Sequence, residues 1–460
     1  MLHVIAIDVG ASNGRVMAGS FDGGRLAVRE AGRFPNTPVG LAGGFYWNIL
    51  SLYDSIKSIL RQLNQQGLEV ASLAFDTWAQ DFGLIGSRSL LANPRHYRDP
   101  YTEGQVAAAG EKIAPREMFD VIATRPFQGA TFYQLLAMKE KLPRLLACAD
   151  HLLFMPNLLT FLTSGIVSCD CTLASFSQMY DIFQKNWSRD IRSRFDLPDI
   201  LPPVQLPGQV IGQTDANFAA ETGYSGIKVV LAAGHDTASA AFTKLRRGES
   251  SLVISCGTWS MLVAASDQPV VSYRDTELSF SNALGADGRY ILVRGITGLW
   301  MLQQCKREWQ AAGTDVCYAE LERYAFGHDC LAWFDVDDPR LAQMQSMSQA
   351  IAELCLRNGF AAPRSPHEYY TVIMHSLSRK YQQAFAEYEA VTGRVYNPVH
   401  IIGGGAKDPV LRELTARYSR KNVVTGPAEA TAIGNILLQL IALGEISEDQ
   451  VPDLVATLQE

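Results

Sequence analysis

The stretch His3–Phe21, "HVIAIDVGASNGRVMAGSF", decides the fold. Apolar, largely β-branched residues run from Val4 to Val9, broken only by Asp8, and resume at Val16. Between them lie Gly10, Ala11, Ser12, Asn13 and Gly14, so the segment reads as strand, tight turn, strand. The same pattern returns at 250–265, "SSLVISCGTWSMLVAA", where Gly257 and Thr258 occupy the turn. Asp8-Val9-Gly10-Ala11-Ser12 and Ser255-Cys256-Gly257-Thr258-Trp259 are related by an offset of about 245 residues. This predicts an internally duplicated architecture, at an identity too low for repeat detection alone.

Further buried strands are expected at 70–85, "VASLAFDTWAQDFGLI", and 151–156, "HLLFMP". Helical patterns fill the spaces, as in "GQVAAAGEKI" (104–113) and "YQLLAMKEKLPRLLACA" (133–149), which makes the chain α/β. Prolines concentrate in "LPDILPPVQLPGQVIG" (197–212), the best compositional boundary. Beyond it come strand–turn–helix at "IKVVLAAGHDTASAAF", strand–triple glycine–helix at "VHIIGGGAKDPVLRELTARY", and strand–loop–long apolar helix at "VVTGPAEATAIGNILLQLIALG". Two domains are expected, 1–232 and 233–460, with the boundary within about 205–245.

The 460 residues carry a formal net charge of −7 and 47% apolar residues. That balance excludes a nucleic-acid binder, which needs clustered Lys and Arg. Lys244, Arg246 and Arg247 come nearest and read as a solvated face. Eight scattered cysteines without CxxC spacing argue against a zinc site and fit a reduced, cytoplasmic compartment. No run of about 18 apolar residues exists, so no membrane span is expected.

Several constellations carry chemistry. The turn Ala11, Ser12, Asn13, Gly14, Arg15 presents backbone amides without side-chain obstruction, a nest suited to phosphate, or else a plain hairpin. Asp8 before it suits Mg²⁺ held through water. Gly257 and Thr258 repeat the device. Gly404 and Gly405 can pass under a flat ring or ribose, or simply start a helix. Asp236 in "GHDTASA" leaves room for a substrate at its carboxylate, and equally suits a helix N-cap. In "DTWAQDF", Trp78, Ala79, Gln80 and Asp81 combine polar groups with an aromatic face, as a sugar requires, or form a strand end with exposed acids. Tyr97-Arg98-Asp99 and Tyr133-Gln134 have the same character.

In this order "DVGASNGRVM", "DTWAQDF", "YRDPYT", "LLFMPNLLTFLTSG", "GHDTASA", "SCGTWS", "GLWMLQ", "IIGGGAKDPVL" and "GPAEATAIGN" resemble the FGGY carbohydrate kinases, nearly end to end. The resemblance implies two actin/hexokinase-like (ribonuclease H-like) domains with the active site in the cleft between them. It implies ATP and Mg²⁺ as cofactors and a ketose as substrate, phosphorylated on a primary hydroxyl, in a monomer or homodimer. Asp236 is then the catalytic base, with Asp8 and Asp236 on the metal side. Ala11–Arg15, Gly257 and Thr258 hold phosphates, and Gly404 and Gly405 the adenosine, with Gln303 and Asn435 as lesser contacts. Trp78, Ala79, Gln80, Asp81, His235, Asp236, Thr237 and Gly295 line the sugar. For His235 the alternative is a hydrogen-bonded structural histidine.

Within the family the motifs are nearest to the branch that phosphorylates L-rhamnulose. That branch reads "DTWGVDF" and "FNTLYQL", and has an Asn before "GLW". Here Ala79 and Gln80 replace Gly and Val, Ala130 replaces the first Asn and Gly295 the second. The departures are all on the sugar side, so L-fuculose or another deoxy or branched ketose remains open. A non-catalytic sensor on the same fold is the reading from another class; it usually adds a basic DNA-binding segment, which this chain lacks.

Overall fold

The computed structural model describes residues 1–271, 280–343 and 346–458. The first half is built on β1 (Leu2–Val9), β2 (Asn13–Phe21), β3 (Leu26–Pro35), β4 (Ser72–Thr77), β5 (Gln209–Gln213) and β6 (Lys228–Leu231). The second uses β7 (Leu252–Cys256), β8 (Trp259–Ser266), β9 (Ser281–Leu284), β10 (Tyr290–Thr297), β11 (Val399–Ile402) and β12 (Val423–Thr425). The sheet orders are β5-β6-β4-β1-β2-β3 and β9-β10-β8-β7-β11-β12.

In both, three antiparallel neighbours continue into parallel strands, so β3-β2-β1-β4-β6 corresponds to β10-β8-β7-β11-β12. The duplication seen in two hairpins therefore extends over five strands. β1 and β7 are near-continuous apolar runs because each is a central strand covered on both faces.

The principal helices are α1 (Ile49–Gln65), α2 (Thr131–Lys141), α3 (Asp236–Phe242), α4 (Pro366–Thr392) and α5 (Ala430–Ala442). α4 starts with Ser365 accepting from the Glu368 amide and Pro366 at its first position, and stops at Gly393 with φ +67°. α5, "ATAIGNILLQLIA", is apolar on almost every side, and such a helix belongs inside. It follows a strand of the second sheet yet packs on the first. Ile433, Ile436, Leu437 and Leu440 share a core with Val4, Ala6 and Met17.

Four local expectations are corrected. The proline-rich stretch does not part the halves, since from Gln209 onward it forms the edge strand β5 of the first sheet. The first sheet's last strand ends at Leu231 and the second sheet begins at Leu252. The 70–85 run is two strands, β4 and Phe82–Gly86, in different sheets, with a corner at Gln80, φ +86°. "HLLFMP" is strand only to Phe154, and Met155-Pro156 open a helix. "YQLLAMKEKLPRLLACA" breaks at Pro143 into α2 and a short helix, Pro143–Leu146, because proline cannot donate the bond that would continue α2.

α3 and α5 cross closely at Gly434, where an added Cβ would overlap the Ser239 carbonyl oxygen. Gly434→Ala is expected to lower stability by about 1–3 kcal/mol, a melting-temperature loss of several degrees. Gly404→Ala, whose Cβ meets nothing within 4 Å, serves as the silent control in the same calorimetric measurement.

Candidate active site

The carboxyl ends of β1 and β4 lie in register, Asp8 opposite Asp76. The chain continues the pattern at Thr77, whose amide donates to Gly234 O at 2.8 Å and which bridges in parallel to His235. α3 then begins with Asp236. Three carboxylates thus gather at the carboxyl ends of neighbouring parallel segments, where α/β sheets place their ligands.

Each is held differently. Asp8 Oδ2 accepts from Arg15 Nη2 at 2.6 Å, and Arg15 Nη1 donates in turn to Glu429, the residue just before α5. Asp76 Oδ2 accepts from Asn435 Nδ2 at 2.5 Å. Asn435 Oδ1 accepts from Gln439 Nε2 at 2.8 Å, Gln439 Nε2 reaches Ile5 O at 2.9 Å, and Ser72 Oγ donates to Gln439 Oε1. Asp76 Oδ1 has no partner. Asp236 Oδ1 accepts the Thr237 amide at 2.6 Å and the Thr237 hydroxyl at 3.2 Å, and lies 3.5 Å from His235 Nε2.

Access separates the three. The Asp8 side chain is 4% exposed and that of Asp236 35%, while Asp76 is wholly buried. Burial raises all three carboxyls. It takes Asp76 well above its usual range, with the charge of Asp8 adding to the effect, and Asp236 to about 6. Burial lowers His235 to about 3, so its ring is neutral, and its Nδ1 is buried without a partner.

The helix N-cap is His235, and Asp236 stands one place inside, so its carboxylate does not cap the helix. The strand end is fixed from behind: Thr172 Oγ1 accepts the His235 amide at 3.1 Å while donating to Asp170. A Cβ on Gly234 would come 2.5 Å from Asp170 Oδ2, so the glycine is there for Asp170 to pack against. Sequence reading missed Asp170, although an acid just before "CTLA" is an N-cap signal and here it caps that helix.

The two glycine turns occupy equivalent tips, with Val9 paired to Gly14 and Cys256 to Ser260. Ala11 and Ser12 are exposed, as is Thr258, with Asn13 and Gly257 half-buried. Gly14 is buried under the Phe34 ring, and Arg15 is engaged by Asp8 and Glu429. Gly298 brackets the second turn: Leu299 N donates to Gly257 O, and a Cβ on Gly298 would fall 2.8 Å from Ser260 N. The helix Trp300–Ala311, which carries Gln303, starts there. The glycine pair divides: Gly404 is exposed, but Gly405 packs inward against Cys256 Sγ, leaving only Gly404 open from outside. Asn435 is also reassigned, being wholly buried on Asp76 rather than at a nucleotide.

On the other side, Trp78 and Asp81 are structural. Asp81 Oδ2 accepts from Trp47 Nε1 (2.6 Å), Trp78 Nε1 (2.9 Å) and Tyr97 N (3.2 Å), and Oδ1 from Gln134 Nε2 (2.7 Å). Both carboxylate oxygens are committed to protein donors. Trp78 packs at a tilt of 35° on Trp47 with centroids 4.0 Å apart, and Asp99 is taken by Phe45 N and Arg95. Ala79 is buried beside them, and Thr237 is turned to Asp236. His235 meets Phe176 edge-on at 4.3 Å, and Phe176 packs in the cluster that Met261 borders. Gly295 lies opposite Met261, exposed, with only Met261 near its missing Cβ.

Residues 3–243 match the N-terminal domain, and 252–443 the C-terminal domain, of the FGGY family of carbohydrate kinases. The chain belongs to that family. It is a sugar kinase, and the family implies ATP as the phosphoryl donor. A rhamnulokinase of Oceanobacillus iheyensis is 33% identical over 448 residues, covering 97% of this chain and 94% of that protein. One from Bacteroides thetaiotaomicron is 32% identical over 449 residues, covering 97% and 92%. The fold is that of a ligand-bound xylulose kinase from Lactobacillus acidophilus, with TM-score 0.81 at 16% identity, covering 99% of this chain and 92% of that one. A Plasmodium falciparum glycerol kinase with ADP gives 0.81 at 12% identity, covering 100% and 93%.

Among the described residues no three His, Cys, Asp or Glu side chains converge to hold a metal directly. The donor set nevertheless suits Mg²⁺, which keeps several waters beside one or two carboxylates, and the unpartnered Asp76 Oδ1 adds an acceptor. No described helix is long and apolar enough to cross a membrane.

Burial raises Asp81 to about 7, against the opposing hydrogen bonds of Gln134 and the two indoles. As pH falls through 7 the carboxyl gains a proton and becomes a weaker acceptor for both indoles. Tryptophan fluorescence is expected to titrate with a midpoint near 7, and Asp81→Asn to flatten that titration.

Proposed function

We propose that this FGGY kinase transfers the γ-phosphate of ATP to the primary hydroxyl of a ketose, L-rhamnulose being the first candidate, with Asp236 as catalytic base. One observation carries the reading: of the three clustered carboxylates, Asp236 alone is open, its side chain 35% exposed against 4% for Asp8 and none for Asp76. The sugar oxygen attacks the γ-phosphorus, its proton passes to Asp236, and the bond to the bridging oxygen breaks to release ADP. Such transfer is mainly positioning and charge stabilisation. With a carboxyl near 6, Asp236 is ionised at neutral pH and still basic enough to take the proton.

Asp8 and Asp236 would hold Mg²⁺ through water; when bound, it neutralises charge on the transferring phosphoryl group. The exposed tips Ala11–Asn13 and Gly257-Thr258 receive the phosphates, with Arg15 close by and Gly404 and Gln303 toward the nucleoside. His235, Gln80 and the open ground before Gly295 face the sugar. We place the domain boundary between Leu231 and Leu252. All eight cysteines are free thiols, which supports a cytoplasmic setting. The rhamnulokinase relatives support rhamnulose, while Ala79, Gln80, Ala130 and Gly295 leave L-fuculose as the alternative.

A coupled ADP assay over L-rhamnulose, L-fuculose, L-ribulose, L-xylulose and D-xylulose tests the substrate. No stimulation by any of them would overturn the ketose reading. Asp236→Asn is expected to reduce turnover at least a thousandfold while ATP affinity changes only a few-fold; a variant keeping a tenth of the activity would remove the base assignment. In the wild type, kcat should fall with decreasing pH through a limb near 6, as Asp236 takes up its proton.

A further inference from the structure

Gln80 and Gln178 share two unusual features. Each is a non-glycine residue in left-handed backbone, φ +86° and +63°, and each buries a carboxamide oxygen that has no hydrogen-bond partner. Either feature costs stability, and such costs gather at functional sites. The two residues flank one helix end. Thr131 Oγ1, at the start of α2, donates to Gln80 O at 2.7 Å, and Phe132 N donates to Ser177 O at 3.0 Å. Ala130, at the N-cap of α2, brings no side-chain acceptor of its own.

Gln178 is 3% exposed, and its amide is oriented by Nε2, which donates to Arg125 O at 2.6 Å. Two residues earlier Phe176 packs on His235, whose own Nδ1 is buried and unpartnered beside Asp236. Both glutamines are thus tied to the same histidine through near neighbours, Gln178 through Phe176 and Gln80 through Thr77, which bridges to His235.

We infer that Gln178, paired with Gln80, reads the sugar's non-reacting hydroxyls. The inference rests on the ketose-kinase reading above and specifies its substrate contacts. An amide oxygen only accepts, so its partner must donate. Phosphate groups at neutral pH do not, whereas each sugar hydroxyl does. Position 130, where the L-rhamnulose branch carries an asparagine, has become alanine, and the amide next to it now comes from position 80. A site of this kind discriminates strongly against a sugar lacking the hydroxyl it reads, because the acceptor is then left unpaired.

The test compares Gln80→Leu and Gln178→Leu with the wild type, using whichever panel ketose the wild type phosphorylates fastest. Sugar KM, and the sugar dissociation constant by calorimetry without nucleotide, should rise about ten- to a hundredfold in each. ATP KM should stay within about twofold. Gln178→Leu also loses its bond to Arg125, so Gln80→Leu, whose hydrogen bonds described above are made by its backbone, is the cleaner variant. Its melting temperature should hold or rise, because an unsatisfied acceptor is removed. A ketose deoxygenated at the position read should bind wild type and variant alike. Unchanged sugar affinity in Gln80→Leu overturns the inference, as does a joint loss of sugar affinity, ATP affinity and melting temperature in both variants. A wild type inert toward every ketose would instead overturn the reading on which it rests.

Discussion

Two aspartates buried side by side, Asp8 and Asp76, repel each other, and the last long helix of the chain is what holds them. α5 meets the first through Glu429 and Arg15 and the second through Asn435. Asn435 and Gln439 are one helical turn apart, so both face the first sheet from an otherwise apolar helix. Gln439 ties the ladder to the backbone of β1 and to Ser72 of β4. Without these partners two strand ends would carry uncompensated charge in a water-poor interior. The positions of Asp236 and of the first glycine turn both depend on those strand ends.

The arrangement divides charge by access. Asp8 and Asp76 are closed and fixed by the protein, and Asp236 is left open. Burial keeps Asp236 basic, its charge in turn raises Asp8, and carboxylates grouped in this way favour a cation nearby, which prepares the field before reactants arrive.

The hairpin readings were legible because strand and turn signals are local: apolar runs around Gly10–Gly14 and Gly257-Thr258 need no distant information. Their repetition was enough to imply a duplicated sheet, and the ordered motifs carried the family. Roles that depend on facing direction were not legible. Trp78 and Asp81 look like a sugar platform in one dimension, but only the fold shows that Trp47, Tyr97 and Gln134 take up the carboxylate. Gly404 and Gly405 are indistinguishable in sequence, yet one faces outward and the other makes room for Cys256. Asn435 pairs with a residue 359 positions away, a separation that no local pattern encodes. The proline cluster misled because proline is tolerated next to an edge strand, and β5 is an edge.

α5 also carries a consequence for biosynthesis. The core beneath Val4, Ala6 and Met17 is completed by Ile433, Ile436, Leu437 and Leu440, with Val451 and Leu454 behind them. During synthesis β1 and β2 therefore wait for a helix whose Gln439 lies 434 residues beyond Ile5 before one of their faces is covered. Cutting between Leu231 and Leu252 would sever the two sheets but would not yield two self-sufficient units, because the N-terminal piece would keep an apolar surface shaped for a helix it no longer owns.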